Sequence, residues 1–211
     1  DWTATPTSTR VVSTDLTAGD KFAYAISVSN DGTYAIMGAS GDDDGGTSSG
    51  GAYIFLRTGS SWAQQAKLVA SDDAAGDEFG WTVAISNDGN YAAVGAKNVG
   101  EYVGATYIFT RSGTSWTQKC KFYSSDIAAS DAFGYHTRSS STGDFVVISA
   151  PQENSNQGAV YTFNITNSGA TATQQQKLTA SNGSTNSGRF GWALALSGDA
   201  NYIAVGDRKF N

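Results

Sequence analysis

Short runs in which β-branched and aromatic residues alternate with polar ones recur along the whole chain. A two-residue period is typical of half-buried β-strands, and the longer period of an amphipathic helix is not found. Turn sequences separate the runs: Asn-Asp-Gly occurs at 30–32 and again at 87–89, and other links contain Gly59 and Gly113. Because glycine tolerates the positive φ of a tight hairpin, these links predict antiparallel neighbours. The pattern therefore predicts an all-β chain.

This pattern repeats along the chain with a period of roughly 55 residues, the kind of self-similarity that marks a repeat architecture. Each copy carries a phenylalanine at a constant distance before the small residue that ends an apolar run. These phenylalanines are Phe22, Phe79, Phe133 and Phe190. One copy contains four strands, a to d, which fall near 79–86, 90–97, 104–111 and 115–123 in the second copy. Four-stranded units at such a period are typical of a β-propeller, so we predict propeller blades.

The chain is predicted to be a single β-propeller domain or part of one. Its repeat units are expected at 1–14, 15–71, 72–125, 126–181 and 182–211, with the first and last incomplete. An opening d strand from Trp2, three complete copies and a final a and b make 15 strands, one fewer than four complete blades need. Two interpretations stay open: the chain is part of a longer propeller, or a neighbouring molecule covers the gap.

Charge and hydropathy narrow the range of partners. Lys and Arg number 13 against 19 Asp and Glu, a formal net charge of −6, which is the wrong sign for binding phosphate backbones or anionic lipid. No apolar run approaches the roughly 18 residues of a membrane-spanning helix. We therefore expect no nucleic-acid partner and no membrane insertion. The single cysteine, Cys120, allows no disulfide within the chain.

Two short motifs give the chain a specific resemblance. Phe-Gly begins strand a, and Gly-Ala or Ala-Pro follows strand b. The first motif is Phe79-Gly80, Phe133-Gly134 and Phe190-Gly191, and the second is Gly38-Ala39, Gly95-Ala96 and Ala150-Pro151. Over essentially its whole length the chain resembles the FG-GAP repeat family. The resemblance implies β-propeller blades like those of integrin α-subunit heads, in the variant that bacterial and protist surface proteins carry, and hence an extracellular or cell-surface location.

Calcium-binding members of that family carry an Asp-x-Asp-x-Asp-Gly loop between strands a and b. Here the loop offers one carboxylate per copy, such as Asp31 or Asp88, whereas Ca²⁺ takes about 6–8 oxygen ligands. We therefore expect no cofactor at these loops. The acidic loop of Asp42, Asp43 and Asp44 is the remaining candidate for Ca²⁺, and a solvated acidic loop is the alternative interpretation.

The sequence offers no recognisable catalytic set. His136 is the only histidine and Cys120 the only cysteine, so neither a three-histidine nor a two-cysteine zinc site can form, and no G-x-S-x-G motif is present. The aspartates recur with the repeat, seven or two residues before the phenylalanine, which predicts turn and capping carboxylates. They are Asp15, Asp72 and Asp126, and Asp20, Asp77 and Asp131. An active site is singular, so we expect no catalysis.

Two features of the sequence concern glycans. Asn164-Ile165-Thr166 and Asn182-Gly183-Ser184 are acceptor sites for N-glycans if the chain passes through a eukaryotic secretory route. Trp62 and Trp116 stand at the start of strand d, where covering an apolar edge is one interpretation and stacking on a bound sugar the other.

The function that these observations favour is adhesion or scaffolding. We expect a non-catalytic module that binds a protein or glycan ligand through its blade loops. One alternative is a protomer of an extracellular filament or coat, in which an open strand edge is completed by the next chain. A glycosidase or lyase on a propeller scaffold is the third hypothesis, because the fold alone does not exclude an enzyme.

Overall fold

The computed structural model describes residues 10–181 and 188–208. In this part of the chain it shows 14 strands and two four-residue helices, neither of which is long and apolar enough to cross a membrane. The strands form three four-stranded antiparallel sheets and one two-stranded sheet, which follow one another along the chain. The predicted all-β fold is confirmed, and we call the four sheets blades 1 to 4.

Within each complete blade, every strand pairs with the next strand in sequence. Blade 1 contains β1 (Phe22–Val28), β2 (Tyr34–Ala39), β3 (Gly51–Thr58) and β4 (Ser61–Leu68). Blade 2 contains β5 (Phe79–Ile85), β6 (Tyr91–Ala96), β7 (Ala105–Ser112) and β8 (Ser115–Phe122), with α1 (Val99–Tyr102) between β6 and β7. Blade 3 contains β9 (His136–Ser139), β10 (Phe145–Ala150), β11 (Ala159–Thr166) and β12 (Thr171–Leu178), with α2 (Glu153–Asn156) between β10 and β11. The described strands of blade 4 are β13 (Ala193–Leu196) and β14 (Ile203–Gly206).

The hairpin turns are those that the sequence predicts. Gly32, between β1 and β2, and Gly89, between β5 and β6, both have φ of 66°. Gly59 and Gly113, in the links to the fourth strands, have φ of 61° and 63°. Glycine adopts this left-handed conformation without steric cost, so the turn residues themselves determine which strands become neighbours.

The apolar core lies between successive sheets. Phe79, at the start of β5, is fully buried and packs edge-to-face on Tyr107 and Phe109, with ring centroids 5.3 and 5.9 Å apart. Ile36 of blade 1 belongs to the same buried cluster. Phe133 is equally buried one repeat later. The repeated phenylalanine thus fills the space between two blades, as we expected from the sequence.

Glycines make the closest contacts between blades. A Cβ built on Gly38 of β2 would lie 1.9 Å from the carbonyl oxygen of Gly80 in the next blade. One repeat later, a Cβ on Gly95 would lie 2.3 Å from the carbonyl oxygen of Gly134. No side chain fits at such a distance. The Gly-Ala motif of one copy and the Phe-Gly motif of the next therefore meet in a single contact between blades.

The chain ends and two strand starts differ from the sequence expectation. The predicted opening strand falls largely on residues 1–9, which lie outside the described residues, and 10–13 is not a strand. β9 begins at His136 rather than at Phe133, and β13 at Ala193 rather than at Phe190, whereas β5 begins at Phe79. Within the described part of the chain, no third strand pairs with β14.

Candidate functional site

The first strands of the four blades lie side by side. β1 contacts β5, β5 contacts β9 and β9 contacts β13, whereas the fourth strands β4, β8 and β12 contact one another only sparsely. Sheets that converge on their first strands and splay at their fourth have the arrangement of propeller blades. The surface on which the first strands converge is the candidate functional site.

One aromatic ring from each blade lies on this surface, and the four rings form a continuous row. The ring centroids of Tyr24 and Trp81 are 4.7 Å apart, those of Trp81 and Tyr135 are 5.7 Å apart, and those of Tyr135 and Trp192 are 5.2 Å apart. These distances lie in the range of attractive ring contacts. Tyr24 is 57% exposed and the other three residues are half-buried. We call these four residues the aromatic row.

The row exists because a left-handed residue precedes each of its rings. Each ring stands two residues after a core phenylalanine, and in a regular strand the two side chains would share a face. The residue between them has φ of 60° at Ala23, 84° at Gly80, 85° at Gly134 and 92° at Gly191. This conformation breaks the alternation of the strand. The phenylalanine therefore enters the core while the following ring lies on the surface of converging strands.

Cationic side chains lie over the faces of the two tryptophans in the row. The Lys97 ammonium is 4.0 Å from the centroid of Trp81, and the guanidinium groups of Arg208 and Arg189 are 4.6 and 5.4 Å from that of Trp192. Cations at these distances are attracted by the ring quadrupole. Cationic side chains therefore cover faces of both tryptophans, and the Lys97 ammonium is also paired with the Glu78 carboxylate.

The aromatic row borders a cleft of about 380 Å³, into which His136 and Arg138 of β9 project. Burial lowers the pKa of His136, the nearby charge of Arg138 lowers it further, and a hydrogen bond to the Trp192 backbone opposes both effects. Burial also lowers the pKa of Arg138, but guanidinium groups stay charged in proteins. The cleft thus combines a neutral imidazole and a fixed positive charge near pH 7.

His136 and Arg138 are departures from the repeat. His136 lies opposite Ser149 in the sheet and Arg138 opposite Val147. At the position of Arg138, blades 2 and 4 have Ala84 and Ala195, and at the position of His136 blade 4 has Ala193. The aromatic side chains that border the cleft therefore recur from blade to blade. His136 and Arg138 occur only in blade 3 among the described blades.

The acidic loop between β2 and β3 holds a lysine. The Lys67 ammonium lies 2.9 Å from Oδ1 of Asp42 and 2.6 Å from Oδ2 of Asp44, and the Tyr53 hydroxyl donates to Oδ2 of Asp42 at 2.6 Å. Burial by itself would raise the pKa of Asp42, but the hydrogen bonds from Lys67 and Tyr53 outweigh it and lower that pKa. Asp43 is exposed and accepts a hydrogen bond from a backbone N–H of its own loop.

A calcium ion at this loop would compete with Lys67 for the same carboxylate oxygens. Among the described residues, no group of three or more Asp, Glu, His or Cys side chains is placed to hold a metal ion. The site at Asp42, Asp43 and Asp44 stays a prediction, and EDTA treatment tests it.

The repeated aspartates act in two ways. Those two residues before the phenylalanine cap their own turns, as predicted: they accept a backbone N–H three residues earlier. The bonds run from Thr17 to Asp20 at 2.7 Å, from Ala74 to Asp77 at 3.2 Å and from Ala128 to Asp131 at 2.7 Å. Asp72 and Asp126 instead form ion pairs with Lys121 and Lys177, at 2.6 and 2.7 Å, because the fourth strand of the next blade reaches the linker that carries them.

The remaining candidates from the sequence lie apart from the cleft. Cys120 is half-buried on β8, and burial raises the pKa of its thiol to about 11, so the thiol stays protonated at neutral pH. Asn164 is exposed on β11, where a glycan could be attached, and its occupancy stays a prediction. Asn182 lies outside the described residues.

Sequence reasoning missed the aromatic row, although the signal was present. Its members follow the repeated phenylalanines by two residues and share their spacing. The tryptophans that the sequence suggested for sugar stacking, Trp62 and Trp116, lie on the fourth strands instead. The Trp116 indole N–H donates to Oε1 of Gln65 at 3.1 Å, a contact between β8 and β4 rather than with open solvent. Only the contacts between blades show which aromatic residues meet.

Comparison with known families identifies the class of protein. The FG-GAP repeat profile matches residues 7–55, 62–109, 116–163 and 172–209. The chain belongs to the FG-GAP repeat family, as its motifs predicted. The match at 62–109 begins in β4 and ends in β7, so the family repeat is offset by one strand from the sheet. Each repeat therefore joins two consecutive blades covalently.

Solved structures support the fold alone. Sqt1 from Saccharomyces cerevisiae aligns with a TM-score of 0.53 and 10% identity, covering 77% of this chain and 37% of that one. A protein from Bacteroides fragilis described as a candidate 6-phosphogluconolactonase aligns with a TM-score of 0.57 and 12% identity, covering 78% and 41%. The chain thus spans about two-fifths of the length of these structures. None of the curated proteins compared with the chain matches it.

Proposed function

We propose that this chain is a non-catalytic β-propeller module that binds a protein or glycan ligand in an adhesive or scaffolding role at the cell surface or outside the cell. The observation that carries the proposal is the aromatic row with its cleft. A concave site of about 380 Å³ in which aromatic and apolar side chains are combined with placed polar groups, here His136 and Arg138, is the usual form of a binding site. Membership of the FG-GAP repeat family supports the location.

The chemistry of the carboxylates supports a binding role rather than catalysis. Five of the repeated aspartates cap turns or pair with lysines, and no carboxylate is among the described residues that line the cleft. A hydrolytic site needs a positioned acid and base near one another. The described cleft offers one half-buried imidazole with a lowered pKa and no carboxylate to orient it.

An array of immobilised glycans and proteins tests the proposal. We expect the purified chain to be captured by at least one member, and Trp81→Ala to weaken that capture by roughly tenfold or more, since buried aromatic anchors dominate binding sites. Trp116→Ala removes the same indole from the outer strand β8 and should leave capture unchanged. Thermal melting of both variants verifies that they fold. Capture that is equal for the two variants contradicts a binding site at the aromatic row.

A second candidate function rests on blade 4. Its described part has two strands where blades 1 to 3 have four, so one edge of β14 has no partner strand in the described residues. An open edge is a template for pairing with another chain. We propose as the alternative that the chain is a protomer of a filament or coat joined by shared strands, and the molecular mass in solution distinguishes the two functions.

A further inference from the structure

We propose that the cleft along the aromatic row binds an acidic oligosaccharide, with Arg138 holding a carboxylate or sulfate group of one sugar and the aromatic rings contacting the apolar faces of its neighbours. This inference rests on the proposed binding function and specifies its ligand. Its support comes from the charge of the cleft, the shape of the row and the position of Arg138 in the repeat.

Arg138 has no anionic partner among the described residues. It is half-buried, and its one hydrogen bond runs from Nη1 to the backbone oxygen of Thr137 at 2.8 Å, a neutral acceptor. No described carboxylate forms an ion pair with it. Arg57 and Arg111 also bond neutral acceptors only, but their guanidinium groups donate two and three hydrogen bonds, whereas that of Arg138 donates one. A charge withdrawn from water is stabilised by an opposite charge, and the planar guanidinium matches a carboxylate or sulfate. An anionic group of a ligand would provide the opposite charge that the described residues do not provide to Arg138.

The aromatic row provides a surface for a chain of rings. Its four side chains are each amphipathic, with an apolar face and one N–H or O–H donor. They follow one another at centroid distances of 4.7, 5.7 and 5.2 Å, so aromatic side chains line the cleft along its length rather than at a single point, with Lys97 over one face of Trp81. Successive sugar rings present apolar faces and hydroxyl groups in the same alternation. A single small anion would leave most of this surface unused.

Charge favours an acidic glycan over a single-stranded nucleic acid. Aromatic rings with interleaved cations are also how proteins bind single strands, where every nucleotide brings a charged phosphate. The chain has a net charge of −6, and Arg138 is the one fixed cation among the described residues that line the cleft. This arrangement suits a ligand with sparse negative charge. An oligonucleotide therefore serves as a test rather than as the expected ligand.

Comparison of the blades identifies a substitution of Arg138 that should preserve the fold. Arg138→Ala installs the residue that stands at the matching positions of blades 2 and 4, Ala84 and Ala195. Arg138→Lys keeps the charge but loses the two-pronged geometry of the guanidinium. Thermal melting should differ little between the parent and both variants, so any change in binding reports on the ligand.

The experiment measures binding of tetragalacturonate, of its methyl ester and of octathymidylate by calorimetry. The ester keeps the sugar rings and removes the negative charge. We expect tetragalacturonate to bind at least roughly tenfold more tightly than its ester, and Arg138→Ala to weaken tetragalacturonate by roughly tenfold or more while leaving the ester unchanged. Arg138→Lys should fall between the parent and Arg138→Ala. Binding of tetragalacturonate should also weaken as salt is raised.

Four results overturn the inference: no saturable binding of tetragalacturonate, equal affinity for acid and ester, no effect of Arg138→Ala, or tighter binding of octathymidylate. None of them by itself removes the proposed function. If the array still shows capture that depends on Trp81, the binding module stands and its ligand is not an acidic glycan. If capture does not depend on Trp81, the site itself is wrong.

Discussion

At the scale of single residues, the contact between blades depends on glycine. A Cβ on Gly80 would lie 2.1 Å from the carbonyl oxygen of Gly51, and the residue also has φ of 84°. We expect Gly80→Ala to lower the free energy of unfolding by about 2–5 kcal/mol, from the clash and the backbone strain together. Gly59→Ala is the control, with φ of 61° and nothing within 4 Å of the new Cβ, and should lose only about 1–2 kcal/mol. Equal losses in urea denaturation would show that backbone strain, not crowding, selects glycine.

The ion pair of Asp42 and Lys67 is the most buried carboxylate pair that the structure describes, with side chains 3% and 16% exposed. Lys67→Met would leave the Asp42 carboxylate buried with only the Tyr53 hydroxyl and a backbone N–H as donors. We expect the free energy of unfolding to fall by about 2–4 kcal/mol. Lys121→Met, at the matching position of blade 2, breaks a pair that is 27% and 47% exposed and should lose about 1 kcal/mol or less.

The ion pair of Asp42 and Lys67 also predicts that the free energy of unfolding depends on pH. The pKa of Asp42 is lower in the folded protein than its ordinary value of about 3.9, so the folded state binds fewer protons there than the unfolded chain. The stabilisation is complete above about pH 5 and is lost as the pH falls through the folded-state pKa. Urea denaturation between about pH 7 and pH 3 should therefore show a steeper loss for the parent than for Lys67→Met. If the free energy of unfolding falls equally with pH in the parent and in Lys67→Met, the pH dependence does not come from the Asp42–Lys67 pair.

At the scale of elements, the hairpin between β1 and β2 is closed by its own polar groups. The Asp31 carboxylate accepts hydrogen bonds from the Thr33 hydroxyl at 2.6 Å, the Thr33 backbone N–H at 2.9 Å and the Ser29 hydroxyl at 2.7 Å. The bonds from Thr33 and Ser29 lower the pKa of Asp31 to about 2. The carboxylate is thus satisfied without a metal ion.

We expect EDTA to change the melting temperature by less than about 3 °C, because removing a structural ion bound well above its dissociation constant would cost more than about 1 kcal/mol. A larger loss that Ca²⁺ restores would contradict this prediction. In that event Asp43→Asn, which leaves the Lys67 pair intact, shows whether the acidic loop is responsible: it should abolish the response to EDTA.

At the scale of the whole molecule, the edge of β14 that lacks a strand partner among the described residues gives a test of the filament or coat alternative. Main-chain groups at this edge have no strand partner in the described residues, and pairing with a second chain would satisfy them. If chains share strands, residues 1–211 alone should show, by light scattering, a mass of at least roughly twice the monomer at high concentration that falls on dilution. Ala204→Lys, exposed on β14, should reduce association, whereas Thr173→Lys, exposed on β12 of a complete blade, should not. A monomer at every concentration would exclude shared strands.

Much of the fold could be predicted because its determinants are local. The alternation of apolar and polar residues defines the strands, and Gly32 and Gly89 define the hairpins through their positive φ. The repeated phenylalanine predicted an inter-blade core, and the packing of Phe79 confirms it. The first strand of blade 3 begins three residues after its repeated phenylalanine, although that of blade 2 begins at the phenylalanine, so the repeat does not specify where pairing starts.

The sequence by itself determined the all-β class, the blade repeat and the family, since each depends on spacing that is visible along the chain. Only the tertiary structure decided the site. Tyr24 and Trp81 lie one full repeat apart in sequence, and their rings meet because neighbouring blades converge on their first strands. The pairing of Lys67 with Asp42 and the unpaired charge of Arg138 likewise depend on distances between elements. The spacing along the sequence shows which residue types recur in each blade. The packing of the blades decides which of these side chains are in contact.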